Sequence, residues 1–142
     1  MTRGRLAARI LLAPYLVVVL LLTWLPAKDA GQVTGIVATV AHWFDGLVPF
    51  EVGYPILEFL ANVAMFAPLG VLGALAWPQA SAGWIIGAGA VLSAVIELVQ
   101  LTMPSRYSTL SDVIANTLGA AAGWAAVAWW RSRSESARRA TS

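Results

Sequence analysis

The chain has 142 residues, 59% of them hydrophobic and 11% charged, with a net charge of +2. Its mean hydropathy of +0.75 excludes a soluble monomer, because a small domain leaves too much area exposed to hide so many apolar side chains. The composition also excludes disorder, which needs low hydrophobicity and high charge. With no cysteine there is no disulfide scaffold, thiol nucleophile or thiolate metal site.

A hydrocarbon core of about 30 Å takes about 20 helical residues to cross. Four apolar runs are long enough: Leu6 to Leu25, Ile56 to Trp77, Ala82 to Met103, and Leu110 to Trp130. Backbone groups in lipid must be bonded internally, so these runs are helices. The expected fold is all-α: one membrane domain over 1–142, a four-transmembrane-helix bundle. The first run reads as an uncleaved span, because it exceeds a signal-peptide core and no small-x-small cleavage site follows in "PAKDA". The turn "PQAS" makes the second and third spans an antiparallel hairpin, and "PSRYST" links the third and fourth. The Ser/Arg-rich tail, residues 131–142, is expected to be disordered.

Seven of the nine basic residues lie at the chain's two ends: Arg3, Arg5, Arg9, Arg131, Arg133, Arg138 and Arg139. An even number of spans puts both ends on one side, and the positive-inside rule makes that side the cytoplasm. Clustered arginines beside a membrane set topology and meet anionic lipid, so the basic balance implies no nucleic-acid partner.

The outer loop, residues 26–55, carries Val33, Ile36, Val37, Val40, Phe44 and Leu47 at helical spacing. They fall in an arc of about 100°. This predicts an amphipathic interfacial helix between spans one and two, with His42 on the polar face and Trp43 at the edge. Either a buried connector or a lid over the bundle mouth fits that pattern.

Ionisable groups inside spans cost about 2.5–3.5 kcal/mol at mid-helix on insertion scales, so each calls for a reason. The second span carries Glu58 and Asn62, the third Glu97 and Gln100, and the fourth Asp112 and Asn116. Spacings of three or four put each pair on one helical face. At about 1.5 Å per residue all six lie within roughly 10 Å of the outer boundary, the level of Arg106 in the short outer loop. They define one expected ligand site: Glu58, Asn62, Glu97, Gln100, Arg106, Asp112 and Asn116. Structural alternatives exist for several. Pro55 at the first helical position would place Glu58 near a helix N-terminus. Thr109 with Asp112 fits a capping box. Asn62 and Asn116 can serve as interhelical glue. Glu97 lies toward a helix C-terminus, where the dipole disfavours an anion, so it needs a proton or a cation. Pro68 is expected to kink its span. Gly119 with Gly123, and Gly83 with Gly87, form small-xxx-small pairs that fit internal seams or oligomer faces, with internal seams the favoured reading.

"NVAMFAPLG" (Asn62 to Gly70), "ELVQ" (Glu97 to Gln100), Arg106 and "DVIANTLGAAAG" (Asp112 to Gly123), with "VPF" (Val48 to Phe50) ahead of them, resemble in order and spacing the VanZ-like family of small bacterial membrane proteins. The sequence departs from that pattern at Ser105, where a glycine often precedes the arginine, and at Gly46, near which an asparagine is common. The resemblance implies a cell-envelope context, since the family's namesake is associated with low-level resistance to the glycopeptide teicoplanin. It implies no reaction.

Three functions fit the residues. The first is a binding protein. Its polar site takes a membrane lipid, a lipid-linked cell-wall intermediate or a glycopeptide antibiotic, with Arg106 on an anionic group. The second is a membrane enzyme with Glu97 and Asp112 as candidate catalytic residues in carboxylate acid/base chemistry. No Ser–His pair, histidine set or Gly-rich phosphate loop supports it, no cofactor is expected, and a metal held by Glu and Asp stays open. The third, a small transporter, would need polar groups along its whole path, and the inner halves of the spans are nearly pure Ala, Val, Leu and Gly. The oligomeric state is left open. The topology is testable: reporter fusions at Gly31 should read outside and those at Ser81 and Ser136 inside, and an outside signal at Ser136 would overturn the four-span reading.

Overall fold

The structure is a computed structural model that describes residues 2–24, 38–40, 42–43, 49–103 and 109–140. Four long helices carry it: α1 (Arg3–Trp24), α2 (Phe50–Ala76), α3 (Ala82–Gln100) and α4 (Leu110–Ala140). Among the described residues there is no strand. All four helices are long and apolar enough to cross a membrane, so the chain is a multi-pass membrane protein. No more than 33% of any span's most apolar window is buried inside the bundle. Leu11, Val17, Leu60, Val91, Leu98 and Leu118 all face outward. Only a lipid surround accommodates that apolar surface.

The chain ends and the α2–α3 turn share one end of the bundle, the termini end. The start of α2 and the α3–α4 link share the other, the loop end. At the termini end, α2 finishes at Ala76 and Trp77 N–H bonds back to Gly73 O. The terminal carbonyls of α2 are then taken up by arginines from both ends of the chain. Arg9 Nε donates to Ala76 O at 3.3 Å and Arg131 Nη2 to Ala74 O at 2.7 Å. Cations there also complement the helix dipole. Ser81 opens α3 as a side-chain cap, accepting from Trp84 N–H.

The helices meet unequally. The largest interface is between α2 and α4, then α3 on α4 and α1 on α2, while α1 barely touches α3. The α2–α4 seam is backbone against backbone. A Cβ at Gly123 would land on the carbonyl of Ala67, one at Gly119 on that of Val63, and one at Gly70 on that of Ala120. Gly119 and Gly123 are thus an internal seam, as the small-xxx-small spacing predicts. Gly83 and Gly87 are not. A Cβ at Gly87 would meet nothing within 4 Å, and one at Gly83 only its own cap residue Ser81. They lie on the outward face of α3 because its inward face is Gly89, Ser93, Ile96, Glu97 and Gln100. The core proper is small: Val19, Phe66, Leu69 and Ile96, one from α1, two from α2 and one from α3.

Several boundaries differ from the sequence reading. Helix α2 begins at Phe50 rather than Ile56, with Pro49 at its N-cap. Proline suits such a helix entry, and Pro55 lies more than a turn inside instead of at the first position. The helix runs on through Pro55 and Pro68. Helix α3 ends at Gln100 rather than Met103, since Leu101 and Thr102 form a turn. The tail expected to be disordered continues α4 to Ala140. Ser134 and Ser136 hydroxyls bond back to the carbonyls of Trp130 and Ser132, and Arg133 lies over the Trp129 ring at 4.2 Å. Arg138 and Arg139 close the last turn, where the dipole favours cations.

Most of the expected outer amphipathic helix, including Val33, Ile36, Val37, Phe44 and Leu47, lies outside the described residues. Residues 38–40 and 42–43 are helical, with Val40 half-buried and His42 and Trp43 exposed. His42 does more than face solvent. Its ring stacks on Phe50 at 4.6 Å and 15°, and Phe50 in turn meets Tyr54.

The two glycine pairs give opposite expectations for one substitution. Gly123→Ala should destabilise the detergent-solubilised protein by about 1–3 kcal/mol, because the methyl has only backbone to displace. Gly87→Ala should leave the melting temperature unchanged or raise it slightly, since alanine is the better helix former. Equal melting temperatures for the two variants would contradict the assignment of the seam.

Candidate functional site

The loop-end half of the bundle holds the polar side chains, and α3 presents most of them. Ser93, Glu97 and Gln100 recur at four and three residues, so they share one face of α3. All three are buried, Glu97 and Gln100 at 8% exposure and Ser93 at 0%. Asn116 on α4 is 2% exposed. Burying such groups without hydrogen bonds costs several kcal/mol, so the fold must supply partners.

It supplies them between helices. Gln100 Nε2 donates to Thr23 O at 2.9 Å, tying the end of α3 to the end of α1. That carbonyl belongs to the last turn of α1, where it has no intrahelical donor. Asn116 Nδ2 donates to Ser93 Oγ at 2.9 Å, tying α4 to α3. Asn62 Nδ2 donates to Asp112 Oδ1 at 2.7 Å, tying α2 to α4. Tyr15 Oη donates to Met65 O at 2.9 Å, tying α1 to α2 deeper in the bundle.

Asp112 is held on both oxygens. Its Oδ2 accepts from the Thr109 hydroxyl at 2.8 Å, and its N–H donates to Thr109 Oγ1 at 3.2 Å. The Thr109 hydroxyl thus caps the N–H of Asp112, half of the capping box that the spacing predicts, and the carboxylate takes its bond from the same hydroxyl. The same carboxylate therefore starts α4 and anchors Asn62.

The structure divides the seven expected site residues. Asn62 and Asp112 form one bonded pair. Asn116 and Gln100 each bond a residue that the sequence did not single out, Ser93 and Thr23. Glu97 lies buried on the α3 face between Ser93 and Gln100. Glu58 lies on an exposed part of α2, so it does not line this interior, though it keeps an interaction of its own. Arg106 lies outside the described residues. The layer is also deeper than the expected 10 Å. Ser93 precedes Gln100 by seven residues, roughly 10 Å of helix, and α2 starts a turn and a half before the predicted boundary.

Two buried atoms lack partners among the described residues: Asn116 Oδ1 and Trp24 Nε1. The first is an acceptor, the second a donor. Both sit beside bonded members of the layer, Asn116 next to Ser93 and Trp24 next to Thr23. Buried polar atoms of this kind call for a water or a ligand group. Beside these groups, Val19, Phe66 and Ile96 are essentially fully buried. Toward the termini end, Tyr15, bonded to Met65 O, is the one titratable side chain before Arg9 and Arg131 among the described residues.

A sequence model of the VanZ/LLP1 family matches residues 12–131. The chain belongs to the VanZ-like family. No curated protein and no solved structure gives a significant match.

The Ser93–Asn116 pair yields a test. Side-chain hydrogen bonds in membrane proteins average about 0.6 kcal/mol by double-mutant cycles, but an orphaned buried amide costs about 1–3 kcal/mol. Ser93→Ala should therefore destabilise more than the average bond is worth. Ser93→Ala combined with Asn116→Leu should destabilise less than Ser93→Ala alone, measured by unfolding in mixed detergent. A double variant less stable than both single variants would exclude this account.

Proposed function

We propose that this VanZ-like membrane protein binds the polar part of an amphipathic cell-envelope molecule in the loop-end layer formed by Asn62, Glu97, Gln100, Asp112 and Asn116. The molecule is a membrane lipid, a lipid-linked cell-wall intermediate or a lipoglycopeptide-type antibiotic, and the last would connect the protein to glycopeptide resistance. The observation that carries the reading is the burial of Glu97, Gln100 and Asn116 with two polar atoms beside them unpartnered among the described residues. Intramembrane polar groups are expensive, and a structural role accounts for bonded atoms but not for orphaned ones. Arg106, on the link between α3 and α4, is the cation proposed to meet an anionic group of the ligand. The arginine-rich chain ends favour a cytoplasmic termini end, so the polar layer opens toward the outer leaflet.

The acid/base enzyme reading draws on Glu97 and Asp112. The two oxygens of Asp112 are engaged by Asn62 and Thr109, which supports a positioning role for it and favours binding over turnover. The carrier reading loses support from the scarcity of polar side chains in the termini-end halves of the spans.

Native mass spectrometry of the detergent-purified protein tests the proposal. The wild type should carry a co-purifying amphipathic molecule. Glu97→Gln, Arg106→Ala and Asn62→Leu should each cut its occupancy about tenfold or more, the scale of losing one charge-assisted hydrogen bond. Circular dichroism should show unchanged helix content. Undiminished occupancy in all three variants would overturn the reading.

A further inference from the structure

The weak contact between α1 and α3 leaves space at the termini end. A cavity of about 510 Å³ opens there between α1, α2 and α3. Leu12 and Leu16 of α1 form one wall, Ile85 and Ala88 of α3 the other, and Leu69 and Leu92 close it toward the core. The volume lies within the roughly 300–1,000 Å³ range of small-molecule pockets. Its lining is aliphatic and aromatic, so water would find few of the two to four polar partners it needs. The cavity is separate from the polar layer. None of the polar-layer residues lines it, and the core cluster of Val19, Phe66, Leu69 and Ile96 borders it through Leu69.

One feature of the mouth is charged. Trp77 lines the cavity, and the Arg9 guanidinium lies over the Trp77 ring at 5.5 Å while its Nε donates to Ala76 O. Arg131 bonds Ala74 O, two residues back on the same helix end. Arg3 and Arg5 precede Arg9 on α1. Glu135, a turn beyond Arg131 on α4, is the only acidic side chain at this end among the described residues. An apolar slot with a guanidinium at its mouth, at the depth where hydrocarbon gives way to headgroups, matches a molecule with an anionic head and an aliphatic chain. A guanidinium carries five N–H donors, so one can hold a carbonyl and a phosphate together.

We propose that this cavity is a lipid site: it takes one acyl chain of an anionic phospholipid from the leaflet at the termini end, with the lipid phosphate on Arg9. The chain fills a void that the sparse α1–α3 contact cannot close, and it bridges those two helices. Charge selects the lipid, because the termini end is arginine-rich and a zwitterionic head would bring its own cation against Arg9.

The test titrates the full-length protein in detergent with dioleoylphosphatidylglycerol or dioleoylphosphatidylcholine and counts bound lipid by native mass spectrometry. The wild type should hold one phosphatidylglycerol about tenfold more tightly than phosphatidylcholine, the scale of one charge-assisted contact. Arg9→Gln should abolish that preference while phosphatidylcholine binding persists. Ala88→Trp and Leu12→Trp, which fill the cavity, should each remove the tight lipid. Asn62→Leu should not change it, since that residue belongs to the loop-end layer. Glycerophosphoglycerol, the headgroup without chains, should fail to compete in the wild type. The proposal is overturned if a folded cavity variant keeps its phosphatidylglycerol. It is equally overturned if the wild type holds both lipids alike, if Asn62→Leu releases the lipid, or if the chainless headgroup competes as well as the lipid. The last two measurements stand even where the tryptophan variants do not fold.

Discussion

The α2–α4 contact is the constraint on which the rest of the bundle depends. In lipid, burying apolar side chains between helices gains little, because the surrounding tails are equally apolar. Association must come from close packing and interhelical hydrogen bonds. Gly70, Gly119 and Gly123 let two backbones approach until a Cβ would collide with a carbonyl, and dispersion contacts then accumulate along the seam. That approach sets the rotation of α4. It points Asp112 at Asn62 and Asn116 at Ser93. The polar layer is thus a consequence of the glycine seam.

With α2 and α4 locked, the other helices are held more loosely and by polar contacts. Helix α3 leans on α4 through Gly89 against Ala120 and through the Ser93–Asn116 bond. Helix α1 is attached at three heights: Arg9 to the end of α2, Tyr15 to Met65, and the Thr23 carbonyl to Gln100. Each bond uses a carbonyl, either terminal or in a span, so α1 is seated by backbone acceptors more than by side-chain interdigitation. Between those points α1 stands off from α3, and the cavity is the space that remains.

The spans were legible in the sequence because length and hydropathy alone decide them. Their faces were less so. Gly83–Gly87 and Gly119–Gly123 have the same spacing, and nothing local distinguishes an inward pair from an outward one; the buried column from Gly89 to Gln100 does. The start of α2 was missed because Glu51 and Gly53 interrupt the apolar run, although Pro49 in "VPF" marked the helix entry. The helical tail was missed because serine and arginine weigh against an apolar pattern, while the tail is stabilised by local bonds such as Ser134 to Trp130. Among site residues, the Thr109–Asp112 cap was readable from spacing. Ser93 was not, since a lone serine in a run of alanine and valine reads as a small packing residue. Glu58 was placed inside by its spacing to Asn62, yet four residues span about 40° of helix rotation, enough to carry one side chain outward while the other turns in.

The bundle therefore has two ends of opposite chemistry. The loop end buries amides and a carboxylate, and leaves an acceptor and a donor unpartnered among the described residues. The termini end has an aliphatic cavity rimmed by arginine and tryptophan. The two share no lining residue, and the core cluster of Val19, Phe66, Leu69 and Ile96 borders the cavity through Leu69. Occupancy of the cavity would brace α1 against α3, and α1 ends at the Thr23 carbonyl that Gln100 grips. On the proposed reading, a lipid seated at the termini end would thereby steady the α3 face that carries Glu97 and Gln100, without the two sites sharing a residue.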